Sequence, residues 1–294
     1  MDCPWTVGAV QHLEPGVRMV LAPNPSPMTH WGTNSFIVGE GDVTVIDPGP
    51  EDTAHLAALL RALHPSERVT QIIVTHAHRD HSGLARSLAA ATGAPILAFG
   101  PASSGRSPRM LDVRGHSGEG IDTHFAPDEV IGEGDVLTNG GAGLTVLHTP
   151  GHMGGHLCLA LNDRLFTGDH VMGWAPSLVS PPEGDMTDYM TSLERLSAGP
   201  WRKGYPAHGL PIEDLPGRCD FLLQHRRSRE STILAALDMP ADLEALQSRV
   251  YADVPAQLQS AARRNLLAHL IDLVHKGQIT ANGHDLINAR FSRP

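Results

Sequence analysis

The segment Thr75-His76-Ala77-His78-Arg79-Asp80-His81 constrains this chain more than any other. It follows a short apolar run, Gln71 to Thr75, and precedes an amphipathic stretch, Gly83 to Gly93, so it reads as the turn from a strand into a helix. With 18 His among 294 residues, three His and one Asp at those positions are expected by chance about 0.005 times. Alternation along an extended backbone puts His76 and His78 on one side, while Asp80 and His81 turn over the helix start. Four donors can therefore converge from one loop. The plain alternative is a solvated histidine-rich turn. Against it, further donors stand on Gly- or Pro-shaped turns after apolar runs: His152 in Thr149-Pro150-Gly151-His152, Asp169 in Thr167-Gly168-Asp169, and His208 in Tyr205-Pro206-Ala207-His208-Gly209. Strand ends are where α/β folds gather ligands. Imidazoles and carboxylates with no thiolate suit zinc, and iron or manganese fit the same donors.

Periodicity gives the frame around that loop. Asn34 to Asp47 reads as two β-branched strands joined by Gly39-Glu40-Gly41-Asp42 and stopped by Asp47-Pro48-Gly49. Leu56, Leu59, Leu60 and Leu63 recur at helical spacing over Glu51 to Leu63. Pro95 to Phe99 predicts another strand, and Gly100 to Asp128 a loop long enough to be mobile or functional. Strand character returns over Gly143 to Asp169, and Asp185 starts a helix that Gly199 stops. The body is thus mixed α/β with its strands in two sets. Beyond Gly209 to Gly217 the spacing predicts helices over Cys219–Leu237, Ala241–Tyr251 and Pro255–Lys276, then a strand-like Gly277 to Thr280. This divides the chain into a mixed α/β body, 1–214, and a winged-helix-like helical appendage, 215–294.

Charge narrows the partners. The net charge of −10 disfavours stable duplex DNA binding, which draws on clustered Lys and Arg. From Leu215 onward ten Lys/Arg oppose eight Asp/Glu, leaving twelve against twenty-four before it, so the tail is electrostatically different. No apolar run reaches membrane-spanning length. Cys3, Cys158 and Cys219 lie far apart without a C-x-x-C, which fits neither a disulfide framework nor a thiolate zinc site and points to a reducing compartment. The N-terminal residues show no basic start followed by an apolar stretch, so a cytoplasmic location is expected.

Other residues carry two readings each. His156 and His170 sit beside donor candidates and read as supporting or substrate-facing rather than ligating. His148, inside a strand, reads as a satisfied core or edge histidine. Trp174 and Tyr189 either line a pocket or fill the core, the commoner outcome. Arg106, Arg109, Arg114 and His116 make the long loop basic: a solvated insertion is the plain reading, a clamp for an anionic substrate the sharper one. Arg226, Arg227 and Arg229 can meet phosphates or pair with neighbouring acids such as Glu230.

Asp47, His76-x-His78-x-Asp80-His81, His152, Asp169 and His208, five separated motifs in order between Thr33 and Gly209, resemble those of the metallo-β-lactamase superfamily. The resemblance implies an αββα sandwich with a two-metal site at one edge. His76, His78 and His152 would take one metal, Asp80, His81 and His208 the other, and Asp169 would bridge them. Asp47 would stand behind these ligands, accepting a histidine N–H. Hydrolysis by a metal-bridging hydroxide follows, because two cations ~3.5–4 Å apart acidify a shared water and stabilise the attacking and leaving oxygens. The catalytic residues implied are Asp169, holding the metal spacing, and Asp80, orienting the nucleophile and passing a proton to the leaving group.

Within the superfamily the chain is similar to the β-lactamase-like protein 2 group, whose animal member is a mitochondrial single-strand endoribonuclease. The similarity runs through Pro181 to Leu196, His225 to Glu230 and Asn265 to Gly277. Two departures stand out: Tyr205-Pro206-Ala207-His208 in place of Pro-Gly-His, and an unmatched Gly100 to Asp128 loop. The resemblance implies a single-stranded RNA substrate; the alternative is a small-molecule thioester, ester or lactone, which the acidic body favours. A homodimer is compatible with either. Iron-holding redox relatives carry His-x-Glu-x-Asp-His, and His78 stands where that Glu would be. A binding module with a purely structural metal needs only four protein ligands, fewer than this chain offers.

Overall fold

The computed structural model describes residues 2–111, 113, 120–139 and 142–294. Strands β1 (Val10–Glu14) and β2 (Val17–Leu21) lead into the hairpin β3 (Asn34–Val38) and β4 (Asp42–Ile46). Helix α1 (Thr53–Arg61), capped by Asp52, crosses to β5 (Arg68–Ile73). The short α2 (Arg79–Ser82) and α3 (Ala85–Thr92), which ends at left-handed Gly93, cross to β6 (Ile96–Ala98), and β7 (Glu129–Val130) completes a seven-stranded sheet in sequence order. Pairing is antiparallel from β1 to β4 and parallel from β4 to β7. The second sheet holds β8 (Val136–Asn139), β9 (Ala142–His148), β10 (Leu157–Leu161) and β11 (Arg164–Gly168). Helix α4 (Met186–Ser197) then leads to β12 (Lys203–Pro206), parallel to β11.

Period-2 alternation decides the layering. Val17, Met19, Leu21, Phe36 and Val38 turn toward the second sheet, where they meet Leu144, Val146, Leu157, Leu159 and Phe166. The intervening Val20 and Ile37, with Val43, Val45 and Ile72, face outward under Leu59, Leu84 and Leu88 of the first helical layer. On the far side Leu147, Cys158 and Leu165 carry α4 through Tyr189, Leu193 and Leu196. The result is the αββα sandwich expected from sequence. Full burial of each such side chain stabilises the fold by ~1.5–3 kcal/mol.

Helices α5 (Leu215–Ala236), α6 (Leu243–Val250) and α7 (Gln259–His275), with the two-stranded wing β13 (Thr280–Asn282) and β14 (Arg290–Ser292), build the winged helix at the C-terminus. Leu215, Cys219 and Leu222 of α5 pack into the outer core of the sandwich. Ile233, farther along the same helix, joins Leu246, Leu266, Leu270 and Phe291 in a separate core. None of the described helices is long and apolar enough to cross a membrane.

One expectation changes, and one open alternative closes. Arg106 and Arg109 are not on a solvated insertion: Arg106 pairs with Glu183 at 2.9 Å, and Arg109 pairs with Asp185 at 2.9 Å and Asp188 at 2.5 Å. These contacts pin the loop to the start of α4, and Met110 beyond them is buried in the winged-helix core. Arg114 and His116 lie outside the described residues. The arginines of α5 are likewise engaged within the chain. Arg226 donates to Asn265 and the Ser177 carbonyl, Arg227 pairs with Glu194, and Arg229 donates to the Val250 carbonyl. Burial pushes the thiols of Cys158 and Cys219 up to about 12, so both are packing groups.

Candidate metal centre

The donors arrive from strand ends. Asp47 follows β4, His76 to His81 follow β5, His152 lies between β9 and β10, and Asp169 and His208 follow the parallel pair β11 and β12. Glycine makes two of these turns possible. At Gly151, with φ 141°, an added Cβ would fall 2.3 Å from Tyr189 Cα, so only glycine lets the His152 loop close on α4. At Gly168, with φ 48°, it would fall 2.6 Å from His156 Nε2.

His76 Nε2, His78 Nδ1 and His152 Nε2 form one triangle, separated by 2.8, 3.1 and 3.3 Å. Asp80, His81 and His208 form a second: Asp80 Oδ2 is 3.4 Å from His81 Nε2 and 3.3 Å from His208 Nε2. Asp169 lies between them. One oxygen is 3.2 Å from His208 Nε2; the other is 3.6 Å from His81, 3.7 Å from His152 and 3.9 Å from His76. Donors bound at 2.0–2.1 Å in a tetrahedron stand about 3.3 Å apart, close to these spacings.

Hydrogen bonds behind the rings fix which nitrogen faces inward. His152 Nδ1 can only donate to the Leu178 carbonyl at 2.5 Å, and His208 Nδ1 to the Gly32 carbonyl at 3.1 Å. The Thr75 hydroxyl donates to Asp47 Oδ2, so it accepts from His76 Nδ1 at 3.0 Å. His81 Nδ1 donates to Asp47 Oδ2 at 2.9 Å. Each contact leaves an Nε2 lone pair available toward the centre, and His81 Nε2 is buried without a hydrogen-bond partner among the described residues. Lone pairs crowded this closely repel unless a cation sits among them. The residues present fit a dinuclear metal site.

Electrostatics agree. Burial, with neighbouring imidazoles, holds His76 well below the ordinary histidine range and His78 down to about 3. Burial works to raise Asp80 and Asp169, yet the adjacent His81 and His208 hold both well below the usual carboxylate range. The converse holds for His208, which burial works to lower but Asp169 and Asp80 push up to about 10; His81 also lies well above its ordinary value.

The remaining aromatic and histidine candidates separate. His156 accepts the Asp169 backbone N–H at 3.2 Å and contacts the Thr149 hydroxyl through Nδ1, so it supports the Asp169 turn. His170 is fully buried against Tyr189, with ring centroids 4.7 Å apart. His148 bonds the Gly154 carbonyl and stacks on Phe99. Tyr189 is core, whereas Trp174 is partly exposed and stacks on His30 beside a groove.

Sequence reasoning missed the chamber over the donors, about 340 Å³, bounded by Met28, Thr29, Met172 and Leu178 and closed by Gln257, Ser260, Ala261 and Arg264. The last four recur at helical spacing, a signal present in the sequence but indistinguishable there from a solvated face. It also missed Thr75, whose hydroxyl links Asp47 to His76.

The sandwich and its cluster define a metal-dependent hydrolase fold, and the chain belongs to the metallo-β-lactamase superfamily: residues 28–208 match its family model. Residues 243–285 match the β-lactamase-associated winged helix domain. The chain is 31% identical over 288 residues to the β-lactamase-like protein 2 homologue of Drosophila melanogaster, covering 93% of this chain and 92% of that one. It is 32% identical over 234 residues to the lactamase-like protein adaB of Aspergillus niger, covering 78% of this chain and 66% of that protein's length. The chain thus spans just under two thirds of that fungal relative. A metallo-β-lactamase family protein from Thermus thermophilus superposes with a TM-score of 0.77 at 25% identity, covering 96% of this chain and 100% of that one.

Proposed function

We propose that the chain is a cytoplasmic dinuclear zinc hydrolase acting on a small acyl compound, a thioester, ester or lactone. The observation that carries the acyl reading is the lining of the chamber. Met28, Met172, Leu178 and Ala261 give it apolar walls, and Arg264 is the one Arg or Lys among the described lining residues. Single-stranded nucleic acid binds along a positive groove with stacking platforms. The α5 arginines, the nearest source of one, are engaged within the chain.

His76, His78 and His152 would hold one cation and Asp80, His81 and His208 the other, with Asp169 shared; nitrogen and oxygen donors in this proportion suit zinc. Bound there, the cations supply a water acidified toward neutrality and positive charge for the reacting oxygens. Asp169 keeps the two triads in register. The Asp80 side chain is 27% exposed against 11% for Asp169, so Asp80 is the carboxylate placed to orient the nucleophile and hand a proton to the leaving group. In this reading residues 1–214 are the catalytic domain, and the appendage, 215–294, closes the chamber through α7. The free cysteines support the cytoplasmic assignment. Cleavage of single-stranded RNA is the second reading, supported by near full-length similarity to the β-lactamase-like protein 2 homologue.

Metal-loaded protein assayed against single-stranded RNA, a phosphodiester, a thioester and a lactone, beside Asp169→Ala, separates the two. Asp169-dependent acyl hydrolysis with RNA intact is expected. RNA cleavage with every acyl substrate untouched would replace this proposal with the nuclease.

A further inference from the structure

Helix α7 turns one face toward the metal centre. Ser260, Ala261 and Arg264 of α7, with Gln257 in the turn just before it, follow the spacing i, i+3, i+4, i+7, and all four line the chamber that also exposes Asp80, His152, Asp169 and His208. The winged helix therefore supplies a wall of the candidate active site.

Arg264 is the unusual residue on that wall. It is half-buried and has no hydrogen bond or ion pair among the described residues. Other arginines at comparable depth are matched: Arg263 donates to Gln247, Arg229 to the Val250 carbonyl, Arg218 to the Met172 carbonyl, and Arg109 to two carboxylates. A guanidinium carries five donors and stays charged, so withdrawing it from water beside Met28, Met172 and Leu178 without a partner is unfavourable. Its planar fork matches a carboxylate or phosphate, and the apolar surroundings strengthen such a pair. Packing does not account for the position, because a methionine would fill the same volume with no unpaired charge.

We infer that Arg264 selects the charge of the substrate: it binds an oxyanion, carboxylate or phosphate, on a small molecule whose acyl group lies over the donor triads. This rests on the acyl-hydrolase reading and names its substrate class, an anionic acyl compound. Arg264 is thus a specificity residue contributed by the appendage.

The test uses zinc-loaded full chain and three thioesters identical except for a terminal carboxylate, phosphate or carboxamide. Wild type is expected to prefer an anionic substrate by about 10- to 100-fold in kcat/KM, the range of a charge-assisted hydrogen bond. Whichever anion is faster names the group. In Arg264→Met the anion-over-amide ratio should fall to about one, with Arg264→Lys keeping part of it, while zinc content and circular dichroism match wild type. A ratio unchanged in Arg264→Met, or near one in wild type, overturns the inference. Should none of the thioesters be hydrolysed, the acyl reading itself fails, and calorimetric binding of butyrate, butyl phosphate and butyramide decides about Arg264. Anion binding lost in Arg264→Met then keeps the oxyanion site, and binding indifferent to Arg264 refutes it.

Discussion

Asp47 Oδ2 accepts from His81 Nδ1 at 2.9 Å, and the other oxygen of the same carboxylate accepts the Thr75 backbone N–H at 2.8 Å. One buried side chain therefore orients a ring of the second donor triad and fixes the start of the loop that carries four donors. Asp47 has φ 50°, a left-handed conformation that Asp and Asn tolerate better than most residues. Asp47→Asn keeps that backbone preference but weakens the acceptor facing His81. We expect metal affinity in the Asp80, His81 and His208 triad to fall about 10- to 100-fold. Chelator competition measures this, and affinity equal to wild type would show that the carboxylate does not orient a ligand.

The His152 turn depends on a glycine for steric reasons. A Cβ at Gly151 would lie 2.3 Å from Tyr189 Cα, against backbone that cannot rotate away. Gly151→Ala should destabilise the fold by about 2–4 kcal/mol and displace His152, lowering metal content. Gly132→Ala, where an added Cβ meets nothing within 4 Å, is the control and should change neither. Thermal unfolding and metal analysis of the two variants provide the comparison; indistinguishable behaviour would remove the steric account.

A histidine away from the donors gives a pH dependence. His55 is 2% exposed and contacts the Ser35 hydroxyl at 2.9 Å. Burial lowers it to about 4, with Asp52 opposing, while the unfolded chain titrates near 6.5. The folded state thus binds this proton less readily. Its contribution to stability is complete above the unfolded value and is lost as pH falls from about 6.5 toward 4, amounting to ~2 kcal/mol between pH 7 and pH 5. Urea unfolding at both pH values should show wild type losing about that much more than His55→Gln. Equal losses would mean that His55 is protonated without penalty in the folded chain.

Much of the donor cluster was legible in the sequence because the candidate ligands sit where short-range signals are strongest. His76 to His81, His152, Asp169 and His208 each follow an apolar run and a shaped turn, and the fold needs only to close those turns on one another. Helix α4 was equally readable, since Asp185 accepts from the N–H groups of Thr187 and Asp188 as an N-cap should. Composition misled in the long loop. Arg106 and Arg109 look solvated, yet their partners Glu183, Asp185 and Asp188 lie 76 to 79 residues away in the chain. Arg264 was hidden for a related reason. A polar stripe on an amphipathic helix reads as a face toward water, and only the docking of α7 over β-strand ends far earlier in the chain turns it into a chamber wall. The strands β1 and β2 were missed because Gln11, His12 and Glu14 in one and Arg18 in the other interrupt the β-branched apolar run that marks β3 and β4.

The shared position of Asp169 between two donor triads is the centre of this account, and metal stoichiometry tests it most directly. Protein loaded with zinc, dialysed and analysed by mass spectrometry should carry about two ions per chain, and Asp169→Ala fewer than two with hydrolysis lost. Wild type holding no more than one ion, or Asp169→Ala retaining two ions and full activity, would contradict it.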